Sequence, residues 1–130
     1  MMQKIKIEIK DSSKMRYPTV GDYYFREDGT LKFEIADTGD WFYNTMILIH
    51  EIIEEALTRK RGLTEQDILD FDKYYEMRRE QGLVKEDSEP GFDGNAPYRN
   101  EHAFATGVEM GMCALSGVSW NDYETKVNSL

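Results

Sequence analysis

The chain is short of the residues that build disulfide-linked, membrane-spanning and nucleic-acid-binding proteins. Its 130 residues include one cysteine, Cys113, which excludes an intrachain disulfide and a cysteine-rich zinc site. No apolar run approaches the roughly 18 residues that a membrane-spanning helix requires. The strongest apolar run, residues 46–49, is soon followed by acidic side chains, and the first ten residues alternate rather than form a continuous apolar segment. We therefore predict no membrane association, no signal peptide and a cytoplasmic location.

Basic residues are also scarce relative to acidic ones. Lys and Arg number 16 against 25 Asp and Glu, which gives a net charge of −9. Nucleic-acid binding depends on cations that neutralise phosphates. The two basic runs, Arg59–Arg61 and Arg78–Arg79, lie where helices are predicted to end, and there cations favour the helix dipole. We predict no nucleic-acid partner, whereas an acidic surface suits a protein or peptide partner, or a cation where carboxylates converge.

The remaining composition is that of a globular protein. Hydrophobic residues make up 40% of the chain, which is long enough to form one domain over residues 1–130. Residues 4–10 alternate, with Ile5, Ile7 and Ile9 on one side, as in a half-buried strand. Two further strands, 23–25 and 31–35, flank an Asp-Gly turn and predict a hairpin. Residues 1–36 are therefore predicted to form a small three-stranded antiparallel sheet.

A helical period replaces this alternation after residue 40. Gly62 is a suitable stop for a first helix that begins at Trp41, and Thr64 with Asp67 resembles a capping box for a second. A Gly/Pro-rich loop over residues 81–97 separates these from a third helix. The prediction for residues 40–128 is three main helices, at about 41–61, 64–80 and 98–115, and a short C-terminal helix, in a protein of the α+β class.

Both histidines lie on predicted helices beside carboxylates. His50 and Glu54 are four residues apart, so they share one helix face. Their neighbours on that face include Met46, Ile47 and Ile53, which are apolar. Removing a His and a carboxylate from water without compensation costs several kcal/mol. These groups must therefore be satisfied by each other, by a third polar group, by water or by a metal ion.

The segment His50-Glu51-Ile52-Ile53-Glu54 resembles the His-Glu-x-x-His signature of the zincin metallopeptidases. In that family the two His bind zinc, and the Glu between them is a general base toward water on the metal. The resemblance implies that His50 is a metal ligand and Glu51 the catalytic base. Glu54 stands where the family has its second His. That exchange weakens the assignment as a peptidase and favours a harder ion.

A wider resemblance covers roughly the C-terminal two-thirds of the chain. The stretch HEIIEEALTRKRGLTEQDILDFD, followed by NAPYRNEHAFATGVEM and GVSWNDYE, is similar to a group of small bacterial and phage-associated proteins with no established activity. This resemblance names no reaction. It implies that His50, Glu51, Glu54, Asp72 and His102 form one site.

A metal site on this helix needs a third ligand, because catalytic zinc sites commonly use three protein ligands and a water. His102 is the first choice, since it is the only other imidazole and begins a helix directly after the Gly/Pro-rich loop. Asp72, Glu101 and Glu109 are the alternatives. The predicted cofactor is a divalent metal, zinc first, with manganese or iron as alternatives.

Two functions are consistent with these patterns. The first is a metal-binding protein, and within that class a metal-dependent hydrolase with a zincin-like site. The alternative is a non-enzymatic acidic interaction domain in which the His/Glu cluster is structural. The sequence leaves the oligomeric state and the substrate open.

Overall fold

The structure is a computed structural model that describes residues 2–86 and 88–130. Within these residues it contains a three-stranded sheet followed by four α-helices, so the predicted α+β class is confirmed. None of these described helices is long and apolar enough to cross a membrane. Two short 3-10 turns, Ser12–Lys14 and Pro90–Phe92, lie in the connections. The strands are β1 (Ile5–Lys10), β2 (Gly21–Phe25) and β3 (Leu31–Ala36), and the helices are α1 (Trp41–Arg61), α2 (Glu65–Glu80), α3 (Arg99–Ser116) and α4 (Trp120–Asn128).

The sheet is mixed, so the prediction of a purely antiparallel sheet is wrong. β2 and β3 form the expected antiparallel hairpin, but β1 pairs with β3 in parallel, and the strand order is β1-β3-β2. The loop after β1 leaves a gap between β1 and β2, and β3 later fills that gap. Alternation in sequence identifies the faces of a strand but not its neighbour. The register pairs Ile5 with Leu31, Ile7 with Phe33 and Ile9 with Ile35, so the apolar side chains of β1 and β3 lie on the same side of the sheet.

Capping contacts mark the ends of α1 and α2, and the predicted roles of Gly62 and of Thr64 with Asp67 are confirmed. Asp40 accepts hydrogen bonds from the N–H groups of Phe42 and Tyr43 at the start of α1. Gly62 ends that helix in the left-handed region, with φ of 87°, where a side chain would be strained. Thr64 and Asp67 form a complete capping box at the start of α2.

The core lies between the sheet and helices α1, α3 and α4. α1 packs against α3 on one side and against β2 and β3 on another. Buried residues of this core are Ile35, Met46, Ile47, Cys113 and Tyr123. Cys113 is buried beside Met46 and serves as a small apolar side chain. The next two turns of α1 toward its C-terminus also face inward, but they carry His50, Glu51 and Glu54.

β1 extends beyond the part of the sheet that α1 covers. Its isoleucines face the same side as the buried side chains of β3, yet Ile5, Ile7 and Ile9 remain 59%, 47% and 42% exposed. The strand is therefore more exposed than its alternation predicts, because it lies at the edge of the sheet with no helix over it.

Candidate metal centre

Helices α1 and α3 bring both histidines to one point. His50 and Glu54 come from successive turns of α1, and His102 comes from the first turn of α3. His50 Nε2 lies 3.1 Å from Glu54 Oε2 and 3.0 Å from His102 Nδ1. His102 Nδ1 lies 3.0 Å from the same Glu54 oxygen. The three side chains expected to bind metal therefore form a closed triangle of ligand atoms, and this buried group could hold a metal ion.

The dimensions of the triangle suit a first-row divalent metal. Ligand atoms 3.0–3.1 Å apart are close enough to share one ion with bonds of about 2.0–2.1 Å. Two imidazoles and one carboxylate are a ligand set found in zinc hydrolases and in non-haem iron enzymes. Three such ligands would leave room in the coordination shell for water or a substrate.

Each imidazole is held through its other ring nitrogen by a carboxylate. His50 Nδ1 donates to Glu109, which also accepts a hydrogen bond from the Tyr123 hydroxyl. His102 Nε2 donates to Glu89 across 3.0 Å. A metal-binding His almost always donates its distal N–H in this way, which fixes the tautomer and directs the bare nitrogen at the ion. Glu109, one of the alternative ligands considered above, thus orients the His50 ring.

When both rings are neutral, His50 Nε2, His102 Nδ1 and Glu54 Oε2 are all acceptors, and they face one another. Burial opposes protonation of His50, but its hydrogen bonds with Glu109 and Glu54 outweigh burial and raise its pKa to about 11. Burial likewise opposes protonation of His102, and its bonds with Glu54 and Glu89 raise its pKa to about 9. Burial would raise the pKa of Glu54, yet the two histidines lower it to about 2. The centre therefore attracts positive charge, which a proton or a metal ion can supply.

Glu51 lies on the same helix and is buried without a partner. Its carboxylate makes no hydrogen bond within the described residues, although the residue as a whole is only 9% exposed. Burial and the neighbouring charge of Glu54 raise its pKa well above the ordinary value. Gly21 of β2 makes room for it, since a Cβ there would lie 2.3 Å from Glu51 Oε1. The sequence placed Glu51 in the site but gave no indication that Gly21 accommodates it.

A second glycine shapes the other side of the centre. Gly91, in the 3-10 turn of the Gly/Pro-rich loop, packs against the His102 ring so closely that a Cβ would lie 2.3 Å from its Cγ. The same loop supplies Glu89, the acceptor for His102. Sequence reasoning missed both residues. The length of the loop between two helices was the signal that it has a role.

Asp72 lies outside the triangle but beside the same cavity. It accepts hydrogen bonds from Tyr98 and, across 3.3 Å, from Tyr17. Burial raises its pKa to about 6 against the effect of these hydroxyls. Its predicted role as a metal ligand stays a prediction. Glu101, another alternative ligand, instead accepts a hydrogen bond from Arg61 across 2.7 Å.

A cavity of about 770 Å³ opens beside the centre. His50, Glu51, Glu54 and His102 all line it, and Asp72 lies in its wall. Sites for small molecules commonly occupy about 300–1,000 Å³. The ligand triangle therefore faces a space whose volume lies in the range of small-molecule sites.

Comparisons with known proteins add no assignment to this geometry. No family model matches the chain, and neither the curated proteins nor the solved structures give a significant match. The residues of the centre and their geometry are therefore the basis for assigning a function.

Proposed function

We propose that this protein is a metal-dependent hydrolase with a zincin-like centre. His50, Glu54 and His102 hold a divalent ion, zinc first, and Glu51 is the general base. The observation that carries the proposal is the triangle of ligand atoms 3.0–3.1 Å apart. Such a triangle matches what three ligands on one ion require.

A purely structural cluster accounts less well for the same contacts. In its neutral form each imidazole donates its one N–H to Glu109 or Glu89, so neither has a proton left for the centre. Two nitrogen lone pairs and a carboxylate oxygen then face one another at hydrogen-bonding distance. Added protons can relieve this repulsion at the cost of buried charge, whereas a metal ion uses all three lone pairs at once.

Glu51 is suited to accept a proton from water. It is adjacent to His50 in sequence, it lines the cavity, and no side chain competes for its carboxylate within the described residues. A raised pKa brings a carboxylate nearer to the range in which it exchanges protons at neutral pH. A bound zinc ion supplies the complementary effect by lowering the pKa of a coordinated water to about 7.

The edge of the sheet favours an extended peptide as the substrate. β2 is an outer strand in the order β1-β3-β2, and its residues Gly21, Asp22 and Tyr23 line the cavity. Peptides commonly bind by adding a strand to a sheet edge. On β2 the Gly21 carbonyl already accepts from Thr19 and the Phe25 N–H donates to Glu65, so a peptide would pair with the backbone of Tyr23 between them. This strand lies directly beside Glu51, because Gly21 contacts that side chain. The substrate backbone would therefore pass the general base.

Two measurements test this proposal. Elemental analysis of tag-free protein should find a divalent transition metal, and less than about 0.1 equivalent with no stabilisation by added zinc or manganese contradicts metal binding. Hydrolysis of an unstructured protein should then be lost in Glu51→Gln, with metal affinity retained. Glu55→Gln is the matched control, because Glu55 lies on the same helix but pairs with Arg59.

An acidic interaction domain predicts a different pattern. In that case Glu51→Gln has no functional effect, and a chelator changes neither stability nor any activity. This outcome would assign the His/Glu cluster a structural role.

A further inference from the structure

The outer edge of β1 exposes three isoleucine side chains and has no neighbouring strand within the described residues. Ile5, Ile7 and Ile9 are 59%, 47% and 42% exposed, on the same side as the buried face of β3. An edge strand with exposed apolar residues is a template for pairing with another strand. The feature is separate from the candidate metal centre, since no β1 residue lines the cavity.

Hydrogen bonds show which backbone groups of β1 are free. The N–H of Leu31 donates to the Lys4 carbonyl, and the N–H of Asp37 donates to the Lys10 carbonyl. In a parallel pair the residues whose backbone groups face the partner alternate along the strand. Even-numbered residues of β1 therefore face β3, and the N–H and C=O groups of Ile5, Ile7 and Ile9 point away from the sheet.

These free groups are spaced to pair with a second copy of the same strand. In an antiparallel pair with Ile7 opposite Ile7, Ile5 lies opposite Ile9 on both sides of the twofold axis. Every outward N–H and C=O of the three isoleucines then has a partner on the other strand. The six isoleucine side chains lie on one side of the joined sheet, because side chains opposite each other share a face.

The charges of β1 select this register. With Ile7 at the centre, Lys6 of each copy lies opposite Glu8 of the other. If the twofold axis passes through residue 6, Lys6 lies opposite Lys6 of the other copy. If it passes through residue 8, Glu8 lies opposite Glu8, and both arrangements are repulsive. A centre at Ile9 engages only the end of the strand. Lys6 forms no ion pair within the described residues, whereas Glu8 pairs with Lys32 of its own copy across 2.8 Å. The Glu8 side chain is still 43% exposed, so a partner's Lys6 can reach it.

We propose that two copies of this chain associate through β1, in antiparallel register about Ile7, to form a continuous six-stranded sheet. The twofold axis is perpendicular to the sheet, so both α1 helices lie on the same side and flank the paired isoleucines. One short strand per copy gives a small interface, and small interfaces are typical of weak association. The expected dimer forms and dissociates with concentration rather than persisting at all dilutions.

A charge-swap experiment tests the proposed register. Lys6→Glu and Glu8→Lys each put like charges opposite one another, so each variant alone should dimerise at least about tenfold more weakly in analytical ultracentrifugation over about 1–500 µM. An equimolar mixture restores opposite charges across the pair and should associate as well as the wild type. Lys73→Glu, an exposed charge change on α2, is the control and should leave association unchanged.

Cysteine substitution supplies a second test that does not require charge reversal. Ile7→Cys places two thiols opposite each other at a separation a disulfide can bridge, so mild oxidation should link the copies. Ile5→Cys puts a thiol opposite Ile9 at a position even more exposed than residue 7, and it should link far more slowly. A wild type that stays monomeric at the highest concentration, a mixture no stronger than its components, or equal linking of both cysteine variants would each overturn the proposal.

Discussion

Gly91 provides a way to disturb the candidate metal centre without removing a ligand. A Cβ at this position would lie 2.3 Å from His102 Cγ, whereas ordinary contact begins at 3.4 Å. In Gly91→Ala the imidazole must therefore retreat by about 1 Å, several times the roughly 0.2 Å tolerance of a metal–ligand bond. We expect zinc affinity to fall about 10–100-fold, which corresponds to about 1.4–2.7 kcal/mol.

Gly94→Ala is the matched control. It lies in the same loop, and a Cβ there meets nothing within 4 Å. Competition with a chromophoric chelator measures the zinc affinity of both variants, and circular dichroism checks that both are folded. The reasoning is refuted if folded Gly91→Ala binds zinc as tightly as the wild type, or if Gly94→Ala loses as much affinity.

Three further predictions concern the surroundings of the centre. Glu109→Gln should weaken metal binding by about 10–100-fold, measured by the same competition, because His50 loses a charged acceptor. The metal-free protein should lose stability in urea as the pH rises from about 6.5 through about 9 and about 11, because the raised pKa values of His102 and His50 add stability only while the rings are protonated. Saturating metal should reduce this loss, and an unchanged urea midpoint across that range would contradict it. Met46→Ala should cost about 2–5 kcal/mol in chemical unfolding, because Met46 is fully buried in the core, and a loss under about 1 kcal/mol would contradict the packing described.

Local signals predicted α1 and its polar face well. The Asp40 cap, the left-handed Gly62 and the helical period between them are short-range features, and the helix begins and ends where they indicate. The four-residue spacing of His50 and Glu54 then requires a shared face. His102 was inferred because it is the only other imidazole and begins a helix after the Gly/Pro-rich loop. Its distance from His50 depends on how α3 packs along α1.

Long-range geometry accounts for what the sequence did not reveal. The alternation in β1 shows two faces but not that its neighbour is β3 in parallel, since strand order depends on the path of the connecting loop. Gly21 and Gly91 matter because a side chain distant in sequence occupies the space that their Cβ would take. Asp72 looked equivalent to other carboxylates, yet Tyr17 and Tyr98 hold it in the wall of the cavity.

The most direct test of the central claim is a crystal structure of zinc-loaded protein with anomalous diffraction measured at the zinc edge. The proposal predicts a peak about 2.0–2.1 Å from His50 Nε2, His102 Nδ1 and one Glu54 oxygen, with an open position toward the cavity and Glu51. The absence of a peak at this point, or a zinc ion bound by other residues while these three remain hydrogen-bonded to one another, would contradict it.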